Sequence, residues 1–482
     1  MDLINYAVFE VDNNRYLYDT NTNKIVEVSI ECFQALNALG NCASIEQLNR
    51  TLPIEFLRSA HECGVLQPSR FVSVSPPIEN LADTEQRLSE GPESLVLIVT
   101  EDCDLRCKYC VYGEGNYNAV RVHTSRKMEH QIAIRATHSF LSQQEHHKQS
   151  FVCFYGGEPL LRWQLIENVL QSVTQDLSVS PQWFISTNGT ALTEDKFATL
   201  VQNRVMVRVS LDGPQEVHDK NRVDVRGRPT FDRVIKNLKR LRDYDLDYYH
   251  KYVSISFVVA DPENLDTVNH FFKNDAIVCD IPKVCSQINN KELLNQGLTT
   301  NMRREMLGKQ RRQYTKHLTT SGRKSRDHPF NFWWAKYIIA IRDREIRSLQ
   351  PNERMRSVCV PGSHRVVVHP SGKYSFCIQG AEGIQIGNAE TGIDAGKVLK
   401  ILTDISNVLS RFCPKCWCSR FCPICPAYFS DDKGEFSEEL LVAACKDIRN
   451  HIKSAFEAFI YIAKTDEKAL QLVVPSEELL LS

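Results

Sequence analysis

The segment Cys103-Asp104-Leu105-Arg106-Cys107-Lys108-Tyr109-Cys110 sets three cysteines apart by three and then two intervening residues. Such spacing can bring three thiolates onto one face of a compact loop, where they can bind three irons of a [4Fe–4S] cube and leave the fourth open. The same spacing also suits a zinc knuckle. Immediately upstream, Leu95-Val96-Leu97-Ile98-Val99-Thr100 is a short apolar, β-branched run that predicts a buried strand. The cysteine loop therefore falls at the C-terminal end of a strand, where α/β folds place their sites.

Working outward, short apolar runs alternate with helical patterns from Glu93 to about Asn290. Strands are expected at Leu95–Thr100, Ser150–Tyr155, Trp183–Thr187, Met206–Leu211 and Val253–Val259, with a weaker sixth near Ile277–Ile281. This alternation predicts parallel strands joined by helical crossovers. Polar motifs follow the strands. Tyr155-Gly156-Gly157-Glu158-Pro159 combines glycines that let backbone approach a ligand with a carboxylate that can accept from an ammonium. Ser186-Thr187-Asn188-Gly189-Thr190 and Ser210-Leu211-Asp212-Gly213-Pro214 end the next two strands.

With these motifs in order, the chain resembles the radical S-adenosylmethionine (radical SAM) superfamily. The resemblance implies an α/β fold with a partial (β/α)6 TIM-like barrel over 93–290. It implies cluster ligation by Cys103, Cys107 and Cys110. Cofactor contacts are implied for Tyr109, Gly156, Gly157, Glu158, Asn188, Ser210 and Arg222. Reductive cleavage of the bound S-adenosylmethionine would yield a 5′-deoxyadenosyl radical that abstracts hydrogen from an unactivated C–H bond, with the protein supplying positioning and exclusion of water.

The C-terminal third carries Cys359, Cys377, Cys413-x2-Cys416-x5-Cys422-x2-Cys425 and Cys445, with an additional thiol at Cys418. Taken alone, the two Cys-x2-Cys pairs also fit a zinc ribbon. Their pattern is similar to the SPASM domain of radical SAM maturases, although the last short gap has two residues where that family usually has three. The resemblance implies three [4Fe–4S] clusters in all. Cys413, Cys416, Cys422 and Cys445 would hold one auxiliary cluster, and Cys359, Cys377 and Cys425 the other. It also implies an external electron donor such as flavodoxin or ferredoxin.

Residues 1–70 read as paired strands (Tyr6–Val11, Tyr16–Asp19, Lys24–Val28) followed by three short helices opened at Ser29, Ser44 and Pro53. This order resembles the winged-helix-like peptide-recognition domain found ahead of radical SAM peptide-modifying enzymes, and implies a precursor peptide with a leader as partner. Residues 71–92 are expected to be a linker, 291–350 a helical basic and aromatic connector, 351–450 the auxiliary-cluster domain, and 451–482 a C-terminal helix and tail. Residues 301–326 hold nine Lys or Arg against Glu305 alone, which predicts a solvated helix face or a surface for an acidic peptide.

A formal net charge of −1 gives no global attraction to nucleic acid or membrane. No apolar run is long enough to span a bilayer and no secretion signal opens the chain, so a cytoplasmic protein is expected. The isolated Cys32, Cys42, Cys63, Cys153, Cys279 and Cys285 are expected to be small buried hydrophobes. The expected function is modification of a ribosomally made peptide, installing a thioether or carbon–carbon crosslink. The alternatives are an anaerobic sulfatase-maturating enzyme acting on a Cys or Ser side chain, and a non-catalytic iron–sulfur or zinc scaffold.

Overall fold

The computed structural model describes all residues except 1–2, 69–79, 111, 114–122, 145–148, 177–180, 262–263, 287–299, 322–330, 351–357, 379–382, 432 and 475–482. Strands β1 (Leu3–Val11), β2 (Asn14–Asp19), β3 (Lys24–Glu27) and β4 (Cys42–Ser44) form an antiparallel sheet in the order β3-β2-β1-β4. Asp12 and Asn13 take φ of 47° and 64°, closing a two-residue hairpin whose twist matches its strands. Three helices follow. Ser29 caps Ile30–Leu39, a reciprocal Ser44/Gln47 capping box opens Ile45–Thr51, and Ile54–Glu62 starts after Pro53.

β1 is buried on both faces. Ile4, Tyr6 and Val8 share a local core with Leu36 and Leu48, while Ala7, Phe9 and Val11 on the other face join the main core. There Phe9 stacks on Phe456 at 5.1 Å and meets Trp417 edge-on at 5.9 Å. The N-terminal unit is thus continuous with the rest of the molecule.

The second sheet has the order β10-β9-β8-β7-β6-β5-β11-β12-β13-β14. β5 (Ser94–Thr100), β6 (Phe151–Gly156), β7 (Gln182–Thr187), β8 (Met206–Ser210), β9 (Val253–Val258) and β10 (Lys283–Ser286) are parallel and curl into a partial barrel without closing. Leu95, Leu97, Val152, Phe154, Ile185, Val207 and Val209 face the covering helices, whereas Val96, Ile98, Cys153 and Phe184 form an inner cluster. The first five strands lie within one residue of expectation. The sixth does not: Ile277–Ile281 is a turn, because the Asp275 carboxylate accepts from the N–H groups of Ile277 and Val278, and the strand starts after Pro282. Val278 and Ile281 are buried as turn residues, which explains the misleading apolar signal.

Two domain expectations need correction. The linker over 71–92 contains a helix, Leu81–Ser89, capped by Asn80. The C-terminal helix begins at Glu438, well before 451, and runs to Thr465. The C-terminal region also extends the barrel sheet: β11 (Arg365–Val368) pairs in parallel with β5, and β12 (Lys373–Ser375), β13 (Gln385–Asn388) and β14 (Gly392–Ile393) continue it antiparallel. Helices Thr300–Ser321 and Asn331–Arg342 pack on Glu438–Thr465, burying Tyr314 and Trp334. Arg311 pairs with Glu457 in that packing, so it is not part of an open basic surface. The side chains of Arg303 and Arg304 lie outside the described residues. Of the isolated cysteines, Cys32, Cys153 and Cys285 are buried, Cys42 and Cys279 half-buried, and Cys63 exposed at a helix end, against expectation. Among the described residues no helix is long and apolar enough to cross a membrane.

Candidate active site

The cysteine loop leaves β5 and is pinned by backbone. Arg106 N donates to Val223 O (2.8 Å), Lys108 N to Asn221 O (3.0 Å) and Cys110 N to Cys107 O (3.1 Å). Each sulfur faces a hydrogen-bond donor: Leu105 N and Asn188 Nδ2 lie 3.4 and 3.7 Å from Cys103 Sγ, Arg222 Nη1 3.9 Å from Cys107 Sγ, and Tyr112 N 3.4 Å from Cys110 Sγ. His123 Nε2 is 3.8 Å from Cys110 Sγ. Donors of this kind stabilise thiolate or cluster sulfur. Burial pushes the free Cys103 thiol well up, so without metal it stays protonated.

The glycines of the next strand end bring the two loops into contact. A Cβ on Gly157 would stand 2.2 Å from Asp102 O, and one on Gly156 2.1 Å from Thr100 O. Gly157 N and Glu158 N donate to Thr100 O and Asp102 O at 2.8 and 2.9 Å. Glu158 is fully buried and accepts from Leu160 N (3.0 Å), Thr187 Oγ1 (2.7 Å) and Asn188 N (2.7 Å). Burial raises its carboxyl to about 7, against these hydrogen bonds, which favour the anion. A carboxylate has about four lone-pair sites, so roughly one remains for a further donor. Asn188 also donates to Asp104 Oδ1 at 2.8 Å.

A buried carboxylate absent from the expected set ties the site together. Asp212 accepts from Val258 N (3.0 Å), Arg222 Nε (3.1 Å) and the Tyr109 hydroxyl. Arg222 lies over the Tyr109 ring at 5.3 Å. Burial pulls the Arg222 guanidinium down, but Asp212 and Tyr109 overcome it and hold the group charged. The Ser-Leu-Asp-Gly-Pro motif at the strand end contained this signal, since an acid there faces the loop. Ser210 sits half-buried at the same end, in register with Ser256. Tyr109, Glu158, Asn188, Arg222 and the three cysteines are therefore brought together. A cavity of about 470 Å³ lined by Pro92, Leu95, Phe140 and Tyr374 lies instead at the strand beginnings, away from the cysteine loop.

The remaining motif cysteines fall into two neighbourhoods. Cys413, Cys416, Cys418, Cys422 and Cys445 are mutual neighbours around Arg449, and Cys416 Sγ is 3.5 Å from Cys418 Sγ. The hydrogen bond from Cys418 and the charge of Arg449 hold the Cys416 thiol down, to about 6. Cys359, Cys377 and Cys425 form the second neighbourhood. Among the described residues no three Cys, His, Asp or Glu side chains have the spacing of ligands to one metal ion.

The Radical SAM superfamily model matches residues 97–273, the stretch that builds this strand-end site. Residues 97–273 thus form a radical SAM domain. A cysteine-type anaerobic sulfatase-maturating enzyme of Clostridium novyi is 30% identical over 189 residues, 37% of this chain and 47% of that one. The radical SAM cyclopropyl synthase TigE of Paramaledivibacter caminithermalis is 25% identical over 213 residues, 42% of each chain. The matches thus span less than half the length of these relatives. Among solved structures, native anSMEcpe with bound AdoMet and Cp18Cys peptide aligns with a TM-score of 0.56 at 20% identity, over 77% of this chain and 99% of that one. That likeness supports the radical SAM barrel and its C-terminal extension as a fold.

Proposed function

We propose that this radical SAM enzyme modifies a ribosomally synthesised peptide in the cytoplasm, installing a thioether or carbon–carbon crosslink with the help of two auxiliary [4Fe–4S] clusters. The observation that carries this is the pair of cysteine neighbourhoods standing apart from the strand-end cysteines. When bound, the cluster and S-adenosylmethionine supply radical chemistry that no side chain can. The protein's own part is placement. Cys103, Cys107 and Cys110 would hold the cluster, with Asn188 and Arg222 donating toward its sulfurs. Glu158 has room to accept from the cofactor's ammonium, Gly156 and Gly157 keep that carboxylate against the cysteine loop, and Ser210 lines the same strand end. Tyr109 closes the loop over Asp212 and excludes water. Cys413, Cys416, Cys422 and Cys445 would hold one auxiliary cluster. Cys359, Cys377 and Cys425 would hold the other, with a fourth position for a substrate thiolate. Flavodoxin or ferredoxin would supply the electron.

The leader would add to the outer edge of β3, which pairs only with β2 among the described residues. Tethered there, a core segment reaches a high local concentration near the barrel. Sulfatase-type relatives favour a second possibility, oxidation of a protein Cys or Ser side chain. Co-expression with a candidate precursor, sought as a small open reading frame beside the gene, and separately with a sulfatase-derived Cys or Ser peptide, tests the two. A crosslinked precursor with an intact sulfatase peptide supports the proposal, and the opposite pattern overturns it. Glu27→Pro on the β3 edge, where the backbone N–H faces away from β2, should weaken precursor modification while S-adenosylmethionine cleavage persists.

A further inference from the structure

Arg208 stands in the middle of β8, between Val207 and Val209, which both belong to the outer core. Strand alternation turns its side chain to the inner face of the barrel. There its guanidinium carbon lies 4.9 Å from the ring centroid of Phe184, an inner-cluster residue, and near Cys153 and Tyr155. The residue is 5% exposed, yet its Nε and Nη2 have no hydrogen-bond partner. No carboxylate within the described residues pairs with it.

A guanidinium stays charged at neutral pH, and a buried charge lacking a counter-ion is unfavourable. The aromatic face of Phe184 offsets this only in part. An apolar side chain of similar length would suit the folded protein better, so this arginine stands at a cost to stability, the mark of a group kept for a ligand. The open atoms identify the ligand. Nε and Nη2 lie on the same side of the guanidinium and form its side-on fork, which matches the two oxygens of a carboxylate. Ser186 and Ser254 stand opposite Arg208 in register on the flanking strands, and Ser210 follows two residues later on the same face, toward the cysteine loop. This polar strip leads from the strand end into the barrel.

We propose that Arg208 is the receptor for a carboxylate entering the barrel, borne by an acidic residue of the substrate peptide or by the cofactor itself. The proposal rests on the radical SAM maturase function above and adds a recognition element to it. Full-length protein, reconstituted anaerobically, is compared as wild type, Arg208→Met and Arg208→Lys, with acetate as probe and chloride at equal ionic strength as control. Acetate should raise the wild-type melting temperature by about 2 °C or more. Arg208→Met should melt at or above wild type without acetate and show no acetate response, and Arg208→Lys, lacking the fork, should lose most of it. Binding of S-adenosylmethionine separates the two sources. Unchanged affinity in Arg208→Met assigns the carboxylate to the peptide, and weakening beyond about tenfold assigns it to the cofactor. An Arg208→Met protein that melts several degrees lower and responds to acetate as wild type does would show a structural arginine and overturn the proposal. Formation of 5′-deoxyadenosine by the wild type is followed in parallel. Its absence would count against the proposed function and leave the acetate result standing.

Discussion

Phe9→Ala tests whether the N-terminal sheet supports the auxiliary cysteines. Phe9 is fully buried between Phe456 and Trp417, and the adjoining backbone is held by Asn5 Nδ2 to Pro414 O (2.8 Å) and Thr20 Oγ1 to Trp417 O (2.8 Å). Arg420 reaches back to Thr20 O and Asn21 O at 2.8 and 2.7 Å. Both Pro414 and Trp417 lie in the loop that carries Cys413, Cys416 and Cys418. Truncating a buried Phe costs about 3–5 kcal/mol, and two lost ring contacts place this case at the upper end. Leu36→Ala is the control, because Leu36 is equally buried but lies in the local core of the N-terminal unit, where a cost of about 2–5 kcal/mol is expected. Urea denaturation and iron content per chain are measured on both. Phe9→Ala should lose auxiliary iron while retaining S-adenosylmethionine cleavage, and Leu36→Ala should retain iron. Equal iron in both variants, or a Phe9→Ala cost below about 1 kcal/mol, would refute the support role. The same contacts argue against deleting residues 1–70 as a test of leader binding, since deletion would uncover Trp417, Phe421 and Phe456.

Gly157→Ala should cost about 3 kcal/mol or more and depress iron binding at Cys103, because its Cβ would meet Asp102 O at 2.2 Å; iron analysis with denaturant unfolding checks this. Asp212→Ala strands the buried Arg222 and should cost about 3–5 kcal/mol, whereas Tyr109→Phe removes one hydrogen bond and should cost about 1 kcal/mol, both read from unfolding curves. His218 is buried, and that burial lowers its imidazole from 6.5 to about 4. Because the unfolded chain binds the proton more readily, its contribution is present above pH 6.5 and is lost as pH falls toward 4, with an upper limit of about 3 kcal/mol. Unfolding from pH 7 to 4.5 should therefore be less steeply pH-dependent in His218→Gln than in wild type.

Much of the barrel was legible because its signals are local. β-Branched runs bounded by polar motifs place five strands to within a residue, and Ser29 and Ser44 mark their helices by capping chemistry. The sixth strand was misplaced since Val278 and Ile281 are apolar for a turn's burial, a reason visible only in three dimensions. The cysteine motifs name sulfurs but not their neighbours. Asp212 stood in a noted motif, yet its partners Tyr109 and Arg222 come from a separate loop and from beyond the next helix. Arg208 inside an apolar strand gave no pattern of its own, and its open fork is a property of packing. The docking of β1 onto Phe456 joins residues more than four hundred positions apart, beyond the reach of any periodicity.

The most direct measurement is 5′-deoxyadenosine formation from S-adenosylmethionine by anaerobically reconstituted, chemically reduced protein, compared with Cys103→Ala, Cys107→Ala and Cys110→Ala. The strand-end site predicts product from wild type and none from any of the three variants, while Cys445→Ser retains cleavage and loses auxiliary iron. Cleavage that survives in the Cys103, Cys107 and Cys110 variants, or wild-type protein that binds zinc and makes no 5′-deoxyadenosine, would contradict it.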